Sequence, residues 1–171
     1  PESSHTDDEA LELSRAIAHM ERLLRAVAGP RLRVRYALPD FEARAHITRS
    51  ALEQMLLNLV ANARDAGADE VKISVGYEPC LSCDVEHDCQ NGFITLEVSD
   101  NGSGMANELL SHVTGRFSHF ANRSDFGSGL VTVNNLARAV GGHTELWNLE
   151  SAGLCVRISL PNAGVLWQLA A

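Results

Sequence analysis

Asn58, Asn62 and Asp65 stand at i, i+4 and i+7, a spacing that puts them on one face of a helix. Asparagine is a middling helix former because its amide competes for backbone hydrogen bonds, so two of them inside one helix call for a reason. An oxygen-rich stripe of this kind suits a hard cation such as Mg²⁺ held against phosphates. Taken alone, the same stripe also fits a solvated helix face. Further along, Asp100-Asn-Gly-Ser-Gly104 follows a run with strand alternation. Glycines two residues apart let the backbone approach a ligand and adopt positive φ, and a carboxylate at a strand's end can accept a hydrogen bond from an amino group such as that of adenine. By itself this pattern is equally a plain turn. Gly127-Ser-Gly129 opens a helical stretch, where free backbone N–H groups and the positive end of the helix dipole form a natural phosphate cradle.

A separate cluster reads Cys80-x2-Cys83-x3-His87-x-Cys89. Three thiols and an imidazole have the donor set of a closed tetrahedral Zn²⁺ site. Free, redox-reactive thiols in a loop are the competing reading. Cys155 falls in a strand pattern and is expected to be packing.

These residues need elements to position them. Thr6-Asp-Asp-Glu9 fits a capping box ahead of a helix with Leu11, Ile17, Leu24 and Val27 at roughly helical spacing, stopped by Gly29-Pro30. Leu32-Val34-Tyr36-Leu38 alternates as a half-buried strand, and Ala45–Thr48 reads as a short partner strand. Ser50-Ala-Leu-Glu53 is a second capping box, opening an amphipathic helix with Leu52, Met55, Leu56, Leu59, Val60 and Ala63 on its apolar face and Gly67 at its end. Val71–Tyr77 and Phe93–Val98 alternate as strands around a cysteine-bearing loop, which suggests a hairpin with an insert. A short helix over 106–113, a helix over 129–140 ended by Gly141-Gly142, and strands over 143–149 and 154–160 complete the chain. Helices interleave with strands, yet several strands follow one another directly, so the fold class is α+β with helices on one face of a mixed sheet.

At 171 residues, 45% apolar and 21% charged, the chain has the profile of one ordinary globular domain. A formal net charge of −8 argues against a nucleic-acid partner. No apolar run reaches the ~18 residues a membrane span needs, and no signal-peptide pattern opens the chain. The expected location is the cytoplasm, the cytoplasmic part of a membrane receptor included.

In this order and spacing the motifs resemble the ATP-binding domain of sensor histidine kinases, within the wider GHKL group of gyrase, chaperone and mismatch-repair ATPases. Leu52-Glu-Gln-Met-Leu-Leu-Asn-Leu-Val-Ala-Asn-Ala-Arg-Asp-Ala66 is similar to that family's N box nearly letter for letter, and Val98-Ser-Asp-Asn-Gly-Ser-Gly-Met105 to its first glycine box. Gly127-Ser-Gly-Leu130 through Gly142 resembles the second glycine box, and Phe117 with Phe120 loosely resembles the phenylalanine box. The resemblance implies a two-layer Bergerat/GHKL-like sandwich with a mixed, mainly antiparallel sheet. It implies that Asn62 coordinates Mg²⁺ with help from Asn58, that Asp100 binds the adenine amino group, and that Gly102 and Gly104 shape the base pocket. Gly127 and Gly129, with Leu130 after them, would face the phosphates, residues 106–126 would form a lid, and Arg64 and Asp65 would reach the phosphates or brace the pocket.

The hydrolytic members of the group resemble one another in a glutamate where this chain has Asn58. An amide cannot take a proton from water as a general base, so the resemblance points to ATP held for transfer. No His-Glu motif of the phosphoacceptor type occurs; His19, followed by Met-Glu-Arg, fits a helix-surface position. The expectation is therefore a kinase domain over 30–161 with a cysteine insert at 78–91, preceded over 1–29 by the end of a dimerisation helix or a linker and followed by a tail over 162–171. Its expected partners are the phosphoacceptor and dimerisation helices and a response regulator receiver domain. Two departures from the family pattern, Asp125 ahead of Gly127 and Gly153-Leu-Cys155 in place of Gly-Thr, leave a degenerate nucleotide-binding or sensory module with a metal- or redox-responsive cysteine loop as the alternative.

Overall fold

The computed structural model describes residues 10–79, 92–111 and 127–164. Among these, five strands form one sheet in the order β2-β4-β5-β7-β6: β2 (Arg33–Ala37), β4 (Glu70–Glu78), β5 (Phe93–Asp100), β7 (Leu154–Pro161) and β6 (His143–Asn148). β2 runs parallel to β4 and every other pair is antiparallel, giving the mixed, mainly antiparallel sheet expected. A parallel neighbour needs a crossover; α2 (Arg49–Asp65) lies within the connection between β2 and β4.

Alternation along the strands decides which face is covered. Val71, Ile73, Val75, Ile94, Leu96, Val98, Val156, Ile158 and Leu160 are buried in a single core with the apolar faces of α1 (Leu13–Ala28), α2 and α4 (Ser128–Ala139). Their sequence neighbours Lys72, Ser74, Glu97 and Arg157 point to the opposite face by the period-two rule. There the register sets Glu97 opposite Arg157, and the two pair at 2.6 Å while Arg157 also stacks over Trp147.

The structure corrects the reading of the first helix in two respects. Leu13, Ile17, Met20 and Leu24 are buried in the same core as α2, so α1 is an integral layer of this domain and the boundary expected at residue 29 is not one. Its four apolar side chains could not be withdrawn without opening that core. The helix also starts later: Leu11–Glu12 form a short strand, β1, antiparallel to β3 (Arg44–Ala45), and Glu12 caps the helix by accepting from the Ser14 and Arg15 N–H groups. Thr6–Glu9 lie outside the described residues. Ser50 likewise does not cap α2; Thr48 does, accepting from the Ala51 N–H at 3.1 Å. The tail is not separate at its start, since Asn162 bridges to Ala45 and the Ala163 N–H donates to the Arg44 carbonyl at 2.9 Å. Gly67 and Gly141 follow their helices at φ 72 and 79, the left-handed conformation that ends a helix at low cost.

Candidate functional site

α2, the end of β5, the start of β7 and the N-terminus of α4 converge on one cavity of about 170 Å³. α2 contributes Asn62, and Ala66 just past its last turn; Asp100, Gly104 and Met105 come from the end of β5 and the loop after it. Gly127 and Leu130 of the α4 start and Leu154 of β7 close the wall. Three motifs that lie up to 68 positions apart (Asn62 to Leu130) thus meet at one place.

The loop owes its shape to hydrogen bonds from its own polar residues. Asp100 Oδ1 accepts from the Gly102 N–H at 2.8 Å and from the Leu154 N–H at 3.5 Å. One carboxylate oxygen therefore holds the turn, and Oδ2 accepts no hydrogen bond among the described residues. Asn101 Oδ1 accepts from both the Asp69 and Glu70 N–H groups at 2.9 Å, tying the loop to the start of β4. The Ser103 N–H donates to the Ala66 carbonyl at 3.1 Å, tying it to the end of α2. Gly102 is buried under this lacing: a Cβ there would stand 2.9 Å from Ala66 Cβ. Gly104 has φ +69, and a Cβ on it would meet Asn148 Oδ1 at 2.7 Å.

α4 is preceded by Gly127 as its N-cap, which offers no side chain to cap the helix, so among the described residues no side chain caps its N-terminus at the cavity's edge. Gly129 lies over the asparagine stripe; a Cβ built on it would be 3.4 Å from Asn62 Oδ1 and 3.6 Å from Asn58 Cβ. A methyl group there would make ordinary van der Waals contact, so the crossing of α4 over the two amides does not itself require a glycine at 129.

Of the residues expected from sequence, Asn62, Asp100, Gly104, Gly127 and Leu130 line the cavity together. Asn58, Gly102 and Gly129 do not line it: Gly102 stands against Ala66 and Asp100 of the wall, and Gly129 lies over Asn58 and Asn62. Asp65 is placed elsewhere: it is exposed, pairs with Arg64 at 3.0 Å, and is absent from the cavity wall. Arg64 donates to the Val27 carbonyl at 2.9 Å, so it braces the end of α1. His19 is exposed on α1. Cys80, Cys83, His87 and Cys89, and Phe117, Phe120 and Asp125, lie outside the described residues. Cys155 is buried, and that burial pushes its thiol up to about 11. Sequence reasoning missed Ala66, Met105, Leu154 and Asn148. The first three are apolar and carry no chemical signature; Asn148 ends β6 and its only signal is a polar residue flanking the turn that returns to β7.

The sequence profile of the histidine kinase-, DNA gyrase B-, and HSP90-like ATPase family matches residues 47–164. The C4-dicarboxylate transport sensor protein DctB of Pseudomonas aeruginosa is 32% identical over 72% of this chain and 19% of its own length. The sensory histidine kinase/phosphatase NtrB of Rhizobium leguminosarum bv. phaseoli is 28% identical over 78% of this chain and 35% of its own length. The chain thus spans well under half of these curated relatives. In fold it is similar to the histidine kinase domain of the E. coli osmosensor EnvZ, with a TM-score of 0.68 and 22% identity over 99% of this chain and 98% of that one. The ATP-binding domain of PrrB from Mycobacterium tuberculosis gives 0.64 and 24% over 92% and 100%.

Proposed function

Because this chain belongs to the histidine kinase-, DNA gyrase B-, and HSP90-like ATPase family and is the ATP-binding catalytic domain of a sensor histidine kinase, we propose that it holds Mg·ATP in the cavity between α2 and α4 and presents the γ-phosphoryl group to a histidine outside this chain. The observation that carries this reading is the convergence of Asn62, Asp100 and the α4 N-terminus on one cavity. Asp100 Oδ2 accepts from the adenine amino group, with Met105, Leu130 and Leu154 as the apolar walls for the ring. The uncapped N–H groups at Gly127 and Ser128 face the phosphates, where backbone donors and the helix dipole favour negative charge.

The donor set fits Mg²⁺, which binds through one or two protein oxygens and keeps its remaining positions for water and phosphate. The Asn62 amide oxygen would hold it and Asn58 would act beside it; the ion supplies charge neutralisation at the phosphates. Asp100, assigned to the adenine base, is the only carboxylate on the described part of the cavity wall, and Asn58 offers an amide where a general base for water would need a carboxylate. Catalysis then rests on positioning and electrostatics, as phosphoryl transfer allows. The phosphoryl group passes from ATP to the imidazole nitrogen with ADP leaving, and from there to the aspartate of a receiver domain.

Titration of a non-hydrolysable ATP analogue with and without Mg²⁺ tests the reading. Binding should depend on Mg²⁺ and be lost in Asn62→Ala and in Asp100→Ala. A wild-type chain that does not bind the analogue would sink it.

A further inference from the structure

We propose that Asn148 is a positioning residue for the nucleotide, clasping the Gly104–Met105 segment against the end of β6; the inference rests on the ATP-binding reading of the cavity. Asn148 Oδ1 accepts from the Met105 N–H at 2.8 Å, and Asn148 Nδ2 donates to the Met105 carbonyl at 2.7 Å. One side-chain amide thus satisfies both backbone groups of one loop residue, as a neighbouring strand would. Met105 and Gly104 both line the cavity. The positive φ of Gly104 and the 2.7 Å approach of Asn148 Oδ1 to its missing Cβ show how closely the amide is seated.

The clasp has a second jaw at the other end of the same turn. The Leu149 N–H donates to the Gly153 carbonyl at 2.9 Å, which closes the β6–β7 turn. Leu154 then brings its N–H to Asp100 Oδ1, and Gly153 lies on the Asp100 carbonyl so tightly that no side chain could stand there. The turn from Asn148 to Leu154 therefore grips the loop at both ends: Leu154 at the carboxylate that meets the base, Asn148 where the chain leaves the cavity. The chemistry at 148 is specific to an amide. An aspartate can accept from the Met105 N–H, but its second oxygen opposes the Met105 carbonyl. Leucine keeps the volume and makes neither bond.

The test compares Asn148→Leu and Asn148→Asp with the wild-type chain by titrating the Mg²⁺-bound ATP analogue. Losing two hydrogen bonds of ordinary net worth should weaken binding about tenfold in N148L. In N148D the loss should shrink as pH falls from about 7 to about 4, through the ordinary carboxyl range, because a protonated carboxyl regains a donor and imitates the amide. The wild-type chain should show no such recovery, and a residue that only stabilises the fold would not produce one. Wild-type affinity in N148L, or an N148D deficit that stays flat with pH, overturns the proposal. Hydrogen exchange at the Met105 amide separates this inference from the one beneath it. Fast exchange in the wild type overturns the clasp, whereas slow exchange in a wild type that binds no analogue overturns the nucleotide reading and with it the purpose assigned to Asn148.

Discussion

Replacing Gly102 by alanine adds one methyl group where the loop packs closely on the end of α2. Its Cβ would stand 2.9 Å from both Ala66 Cβ and the Ala66 carbonyl oxygen and 3.0 Å from Asp100 Oδ1. Ordinary contact between carbons is about 3.5–4.0 Å, so something must move by more than half an ångström. Neither neighbour is the loose end of a flexible chain. Ala66 is fixed at the end of α2 and its carbonyl holds the Ser103 N–H; Asp100 Oδ1 holds the Gly102 N–H. Overpacking costs roughly 1–3 kcal/mol, and loss of one of those hydrogen bonds adds about 1 kcal/mol. The sum of about 2–4 kcal/mol lowers Tm by roughly 5–15 °C in a chain of this size. Because Asp100 is displaced, affinity for an ATP analogue should fall at least tenfold. Gly29→Ala is the matched control: its φ of +72 carries backbone strain, but nothing stands within 4 Å of the added Cβ. It should cost about 1–3 kcal/mol from that sparsely populated backbone conformation (ψ −171) alone and leave the affinity unchanged. Calorimetric melting and isothermal titration on both variants measure the two effects separately. If Gly102→Ala melts and binds like the wild type, the close packing of loop on helix is not as described.

Ile17→Ala and Leu24→Ala, each removing a fully buried side chain of α1, should destabilise by about 2–5 kcal/mol in denaturant titration, since α1 belongs to the core; a neutral result would restore a domain boundary near residue 29. Cys155 should resist iodoacetamide at neutral pH in the folded chain and react on unfolding, with peptide mapping to identify it, because its thiol is buried and its pKa is raised. The sign of the linkage follows from that raised value. The folded chain keeps the proton where the unfolded chain releases it, so the contribution is full below the ordinary 9.0 and lost as pH rises toward about 11. Cys155→Ala should flatten that alkaline part of the stability profile. Asp65→Ala should change analogue affinity little, because the carboxylate is exposed, paired with Arg64 and away from the cavity.

What the sequence made legible follows from range. Period-two and helical patterns in β4, β5 and α2 are local, and they mark those elements within a residue or two. The Asn62, Asp100 and Gly127 positions are legible because their residue types carry chemistry and their order matches a family. The cap of α2 is misplaced at Ser50 because Thr48 and Ser50 both satisfy the local rule; only the tertiary entry of the chain from β3 decides between them. The β1–β3 pair joins residues 34 apart through two-residue strands, too short to show any alternation (Leu11 with Ala45). α1 illustrates the opposite difficulty. Its amphipathic pattern is plain, but a pattern says that a face is buried and not in which domain. Asp65 shares a helical face with Asn58 and Asn62 by spacing alone; in the structure it is exposed beside Arg64 and is not among the residues on the cavity wall.

The four glycines that the family motifs treat alike do not share one physical reason to be glycine in this chain, and the difference explains how the site is assembled. Gly104 needs positive φ and room for the Asn148 amide. Gly102 needs neither special dihedral nor flexibility, only the absence of a methyl group against Ala66. Gly129 lies over Asn58 and Asn62 with room for a methyl group at ordinary contact distance, so packing alone does not demand a glycine there. Gly127 has open space around it and caps α4 through its backbone alone. Two of the four therefore lock the loop after β5 to rigid elements, while the other two stand at the start of α4 with no comparable steric demand. Under the proposed function, a rigid loop on one side and a helix start on the other suit a domain that must hold ATP firmly and still expose its terminal phosphoryl group to a nucleophile brought by another segment.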